Sequence, residues 1–319
     1  MNIYCDTLVL FEEETEHREL ERLLMCVRRG QHNLLIDDLD RFYASVFFLR
    51  AVTPANQIEV RELLNQQDPA LEDRGIDPAA RTQGPRAELV AVALPERACR
   101  RDGAYPVWEI DRATAGAWSE APLRLLLEND NDWQLVEAAA RVYERPGAVH
   151  ALKNGFLQRD QRGGKSEVRK SVESCLPAER VFVLMDSDRI TVGGPEDREQ
   201  QAIRELVKTR PNALPFILAK REVENYIPES IWRDFVEQKR TRSHTKYVTD
   251  VEWANKLRTW TRLPDAEKDV ADLETHFSGA KQQVSKLCDP VLVPDAATLE
   301  SRAGKQELVD LLDKLEAWL

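Results

Sequence analysis

Three short acidic clusters each follow an apolar run. Glu128, Asp130 and Asp132 follow "LRLLL", Asp186 and Asp188 follow "VFVLM", and Glu222 and Glu224 follow "PFILA" and two basic residues. Carboxylates gathered at the edge of a core repel one another and lose hydration, which is costly unless a cation lies among them. Mg²⁺ is a hard ion that takes oxygen ligands and keeps several waters, so it suits such a set. In an extended chain residues i and i+2 point to one side, so Asp186 and Asp188 are expected to face a common point. Glu128, on a neighbouring strand, would complete the site or act as a base. Taken alone, a DxD after a strand equally describes a solvated turn or a helix N-cap. Three acidic strand ends in order along one framework favour the metal reading.

The framework that must position these residues is an alternation of strands and helices. "LRLLLE" reads as a buried strand, followed by the helix "DWQLVEAAARVY", whose Trp133, Val136, Ala140 and Tyr143 share one face. "AVHALK" reads as a weak strand, "SEVRKSVESC" as a helix, "VFVLM" as the strongest strand, "EDREQQAIRELVKT" as a helix and "ALPFILA" as a strand. Such alternation predicts right-handed βαβ units and a parallel sheet covered on both faces, with ligands beyond the carboxyl ends of the strands.

Ahead of this segment lies an α/β module over residues 1–118. Its elements are an opening strand in "IYCDTLVLF", a helix from about Glu13 to Arg29, helical "DDLDRFYASVFFLRAV" and "IEVRELLNQQ", and strands in "ELVAVAL" and "YPVWEI". The Pro-, Gly- and charge-rich "DPALEDRGIDPAARTQGPRAE" reads as a long loop. After residue 228 the signal is almost wholly helical. The expected domains are therefore 1–118, 119–228 and 229–319.

With 319 residues the chain is long enough for two or three domains. Its five cysteines are scattered and never in CxxC spacing, which argues against a disulfide framework and a zinc ribbon. A net charge of -11 argues against global coating by nucleic acid but leaves a local substrate site open. The acidic N-terminus has no basic n-region and no run is long enough to span a membrane, so a cytoplasmic protein without membrane contact is expected.

The succession "LLLENDND", "VFVLMDSD" and "KREVENYIP" resembles a Toprim domain, a Rossmann-like parallel sheet flanked by helices, of the branch seen in OLD-family nucleases and related bacterial antiphage defence proteins. That branch carries E-G-x-x-D, DxD and an R-x-x-E-N-Y element. Here Asn129 stands where the branch has Gly, and Asn is a residue that tolerates the left-handed backbone a Gly supplies. The resemblance covers about residues 121–228. It implies Glu128 as general base or metal ligand, Asp186 and Asp188 as ligands of Mg²⁺ or Mn²⁺, and Asp132 and Glu224 as support for a second ion or for orienting the first. It implies an endonuclease acting on DNA or RNA. Because OLD-type nucleases join this domain to an ATPase and no Walker motif occurs in this sequence, it also implies a partner ATPase supplied in trans. A homo-oligomer stays open. Toprim domains also serve in primases and topoisomerases, so a primase-like phosphoryl-transfer enzyme or a catalytically silent nucleic-acid-binding or regulatory module are the alternatives.

Four further features accompany these. Lys281 in "HFSGAKQQVSK" matches a basic residue that some relatives use to stabilise transition-state charge, and otherwise reads as a surface lysine on a helix. The patch "QKRTRSHTKY" offers Lys239, Arg240, Arg242 and Lys246 to phosphates, or is a solvated charged loop. "RGGKS" lacks the earlier glycine of a P-loop, with Arg159 in its place, so it reads as a flexible loop near the acidic site. Tyr226 is expected to pack or hydrogen-bond behind Glu224.

Overall fold

In the computed structural model, the chain is described over residues 2–5, 24–25, 33–36, 39–45, 48–49, 52–67, 89–94, 100–102, 107–111, 117–118, 120–176, 179–191, 194–208, 210, 212–242, 247–273, 277, 279–302 and 305–319. Up to residue 118 the described elements are β1 (Asn2–Cys5), β2 (Asn33–Ile36), α1 (Leu39–Ala44), α2 (Pro54–Gln67), β3 (Leu89–Leu94), β4 (Arg100–Asp102) and β5 (Val107–Asp111). Their sheet runs β2-β1-β3-β5-β4, parallel except for the β4–β5 pair. The strands expected in "IYCDTLVLF", "ELVAVAL" and "YPVWEI" are present, and β2 and β4 are additions. The long helix expected over "DDLDRFYASVFFLRAV" instead stops at Ala44, where the Ser45 hydroxyl accepts from the Phe48 N–H and donates to the Phe42 carbonyl. A serine bonding its own backbone competes with helix continuation. The helix expected over 13–29 lies largely outside the described residues, as does the loop expected over 68–88.

The second sheet is built from β6 (Leu123–Leu127), β7 (Leu157–Gln161), β8 (Val181–Met185) and β9 (Ala213–Ile217), in the order β7-β6-β8-β9 and wholly parallel. Its crossovers carry α3 (Asp130–Val142), α4 (Gly147–Lys153), α5 (Lys165–Ser174) and α6 (Arg198–Lys208). This is the α/β architecture read from the sequence. One element differs: "AVHALK" is helical (α4), and the strand falls on "LQRDQ" at the sheet edge. An edge strand with one solvated side needs little apolar content, so its sequence carries little strand signal. α4 lies on β7 and is short and weakly patterned.

β8 shows why the sheet is covered twice. Val181, Val183 and Met185 pack with Val168 and Val172 of α5 and Ile203 and Val207 of α6. Phe182 and Leu184 face the other way, into a cluster with Leu135 and Val136 of α3. Alternation along a strand sends consecutive side chains to opposite layers, so a continuous apolar run is what a doubly covered strand requires.

The helical C-terminal part holds α7 (Glu229–Arg242), α8 (Tyr247–Arg262), α9 (Asp265–Val270), a 3-10 segment (Lys281–Cys288), α10 (Ala296–Glu300) and α11 (Lys305–Trp318). Leu308, Leu311, Leu312, Leu315 and Trp318 of α11 join the same cluster as Phe182 and Leu184. The buried Arg180, just before β8, donates to the Trp318 and Ala121 carbonyls. α11 thus forms part of one cover of the sheet.

Candidate metal centre

From β6 the chain crosses to β7 on one side, and then returns to β8 on the other side of β6. The carboxyl ends of β6 and β8 therefore flank a switch point, where crossovers depart in opposite directions and leave a crevice. Leu127 pairs with Leu184 in the register, which sets Glu128 beside the end of β8. The Asp186 N–H donates to Glu128 Oε1 at 3.3 Å. β9 delivers the third acidic end next to β8, through a 3-10 turn over Val223–Tyr226 that contains Glu224.

Each carboxylate is held by its own local device. Asp132 is the third residue of α3, 1 % exposed, and its Oδ2 accepts from the N–H groups of Glu128 (2.9 Å) and Asn129 (3.1 Å). Asn129 is the N-cap, its Oδ1 accepting from the Asn131 N–H at 2.9 Å. Its φ of -154° is extended, so it does not supply the left-handed turn expected of it. An asparagine serves here because its oxygen satisfies an otherwise open helix N–H, which glycine lacks. Asp186 is 8 % exposed, and its carbonyl accepts from Gln200 Nε2. Glu224 is 3 % exposed. Tyr226, two residues on, is fully buried and hydrogen-bonded, its hydroxyl donating to Glu307 at 2.8 Å and accepting from the Lys220 N–H at 3.3 Å.

Asp188 departs from the extended geometry expected of the DxD pair. Its φ is 49°, and its N–H bonds the Arg221 carbonyl at 2.9 Å. The side chain is 45 % exposed and lies 2.5 Å from Lys165 Nζ. The chain leaves the strand at Met185, so Asp186 stays in the core and Asp188 reaches its rim through the left-handed turn.

The electrostatics bind these residues into one group. Burial pushes Asp186 well above the usual carboxylate range, and Asp132, Glu128, Glu224 and Asp188 each push it further. Burial lifts Glu128 to about 8, with Lys165 opposing and Asp132 and Asp188 adding. Asp132 rises to about 7, chiefly from burial, against the pull of the Asn129 and Glu128 N–H groups and with help from Glu224 and Asp130.

Among the described residues no three His, Cys, Asp or Glu side chains are already gathered as a metal shell. Glu128, Asp132 and Asp188 each turn an oxygen to a neighbour, the first two accepting from backbone N–H groups and Asp188 pairing with Lys165. Glu222 Oε2, at the third acidic end, is buried without a hydrogen-bond partner, and two more such oxygens lie deeper in the cluster. Asp132 Oδ1 and Asp186 Oδ1 are buried and have no hydrogen-bond partner. Orphaned carboxylate oxygens in a dry site are unfavourable as they stand and are hard-ion donors. The residues therefore fit a divalent cation.

Sequence reasoning passed over Lys165, Asp197 and Gln200. Gly163 and Gly164 do form a loop at the acidic site, the Gly163 N–H donating to the Glu128 carbonyl at 3.0 Å. The signal for Lys165 was its place directly after paired glycines and at a helix start. Lys281 sits at the rim: its carbonyl accepts from Asn131 Nδ2 at 3.2 Å, and its charge draws Glu222 down against the dominant upward push of burial. Lys239, Arg240 and Arg242 lie in α7, not in a loop, because the helix runs on to Arg242. Lys246 lies outside the described residues.

The fold and site define an α/β protein with a buried carboxylate cluster at the carboxyl edge of a parallel sheet. No protein-family model matches the chain, and no curated protein does. Among solved structures, it is similar to the C-terminal region of the Burkholderia pseudomallei OLD protein, at 13% identity and a TM-score of 0.39, covering 62% of this chain and 99% of that one. It is also similar to the C-terminal region of the Xanthomonas campestris pv. campestris OLD protein, at 14% identity and a TM-score of 0.38, covering 62% and 97%. No described helix is long and apolar enough to cross a membrane.

Proposed function

We propose that the chain is a Mg²⁺- or Mn²⁺-dependent endonuclease of Toprim type, hydrolysing phosphodiester bonds in DNA or RNA. We propose further that it serves as an effector of a bacterial antiphage defence system with a partner ATPase in trans. The observation that carries the reading is the pair of buried, partnerless oxygens on Asp132 and Asp186. The motif order "LLLENDND", "VFVLMDSD", "KREVENYIP" supplies the reaction class.

A divalent ion, when bound, supplies charge to the phosphate and activates water for attack. Asp132 and Asp186 would hold it, with Glu224 and Glu128 beside them. Glu128 is held near neutrality by burial, which suits a group that takes a proton from water and later returns it. Lys281, at the rim, would face the substrate's phosphates. Tyr226 and Glu307 fix the backbone on which Glu224 rides.

The test is incubation of the chain with Mg²⁺ or Mn²⁺ on plasmid, single-stranded DNA and tRNA, beside Asp186→Ala. Cleavage by the wild type alone is expected. Equal cleavage by both proteins would remove the site assignment. No cleavage by the wild type, even with an ATPase encoded beside it, would leave the silent module or the primase-like enzyme.

A further inference from the structure

Lys165 is 8 % exposed, buried like a core residue yet placed among carboxylates. It opens α5 directly after Gly163 and Gly164, whose φ values are 74° and 134°. L side chains rarely adopt these, so the glycines are needed for the path that turns the lysine inward. Nζ lies 2.5 Å from Asp188 Oδ2 and 2.7 Å from Asp197 Oδ2. Asp197 is itself fixed: its Oδ1 accepts from the Gln200 N–H at 2.8 Å and its N–H donates to Gln200 Oε1 at 2.9 Å. Gln200 also holds the Asp186 carbonyl. The ammonium is thereby placed by three elements at once.

Among the described residues no such cation pairs with Asp132 or Asp186 on the opposite side of the cluster. Asp132 Oδ1 and Asp186 Oδ1 are buried without partners, and the side chains that act most strongly on Asp186 are all carboxylates.

We infer, resting on the metal-site reading above, that Lys165 is the resident cation of the Asp188 half, so that the chain takes up one divalent ion, on the Asp132–Asp186 half. Two-ion sites place their ions about 3.5–4 Å apart with shared carboxylates between them. A second ion would have to share Asp188 with an ammonium already in contact with it, and like charges at that range repel. The lysine supplies one positive charge on a tether, independent of the ion concentration. Lys165 acts through Asp188 and is in this sense a positioning residue.

The experiment is Mn²⁺ titration of the metal-free full chain, with free ion counted by electron paramagnetic resonance and spin coupling between bound ions read at saturation. The wild type is expected to bind one ion, without Mn–Mn coupling. Lys165→Met is expected to bind two, with coupling, and Lys165→Arg one. Two ions of similar affinity in the wild type, or an unchanged count in a folded Lys165→Met, would overturn the inference alone. No binding above that of Asp186→Asn would overturn the metal-site reading with it. Should Lys165→Met fail to fold, the wild-type count and coupling decide the matter.

Discussion

The two halves of the acidic cluster use the same residue types under opposite conditions. On one side Asp188 and Asp197 meet Lys165 across 2.5 and 2.7 Å, and Asp188 stays open to solvent. On the other, Asp132 and Asp186 are buried, face further carboxylates and keep an oxygen each without a partner. The first half is satisfied as it stands. The second is held by the sheet in a condition that only a cation or a proton relieves, and such stored cost marks functional sites.

Activity should separate the halves most sharply. Asp186→Asn removes an orphaned oxygen from the ion's expected position. Residues that merely orient metal ligands already cost roughly 10–100-fold when lost, so a loss above about 100-fold is expected, with the far-UV spectrum unchanged. Asp188→Asn keeps the left-handed turn, which asparagine tolerates, and loses one partner of Lys165; it should cost less, about 10-fold. Equal losses would mean that the halves are not distinct.

Stability against pH, measured without divalent ions, should move in opposite directions for the two halves. Glu128 and Asp132 have folded values raised to about 8 and about 7. Between the ordinary carboxylate range and those values the unfolded chain has lost protons that the folded chain keeps, so stability falls as pH rises through that window. Asp197 is shifted the other way: burial raises it, but the Lys165 ammonium and the Gln200 N–H outweigh burial and hold it low. Its contribution is present above the ordinary aspartate value and is lost as pH falls through the depressed one. Thermal melts should therefore show a decline from about pH 5 to about pH 8 that Asp132→Asn reduces. Mg²⁺ at about 100 times its dissociation constant should recover about 2.7 kcal/mol at pH 8. A melt that is flat from pH 5 to 8, or indifferent to Mg²⁺, would break the contrast.

How far these features were legible in the sequence follows from their physics. The apolar runs of β6, β8 and β9 and the acids after them were visible, because a doubly covered strand is continuous in sequence and its end is abrupt. The edge strand β7, "LQRDQ", was not, since one solvated edge removes the apolar signature. Asp186 and Asp188 were legible as a pair but not as members of different halves, because that division depends on Asp188 taking a φ of 49° and on Lys165 arriving from another crossover. Asn129 was legible as a departure, but its role as N-cap depends on its φ of -154°.

The smallest effect is expected at Lys281, which tests where the cluster meets solvent. Its side chain is exposed, and its charge is felt at Glu222 across the rim. A rim charge is screened by salt within about 10 Å at 0.1 M, so its value to a phosphate-bearing substrate is modest and ionic-strength dependent. Lys281→Ala should therefore slow cleavage only about 2–10-fold at low salt, and the difference should shrink as salt rises. Lys281→Arg should restore most of it, because position and sign of charge are kept. A loss as large as that of Asp186→Asn, insensitive to salt, would instead place the Lys281 ammonium on the reacting phosphate itself. Lys281 would then act at the centre of the cluster and not at its edge.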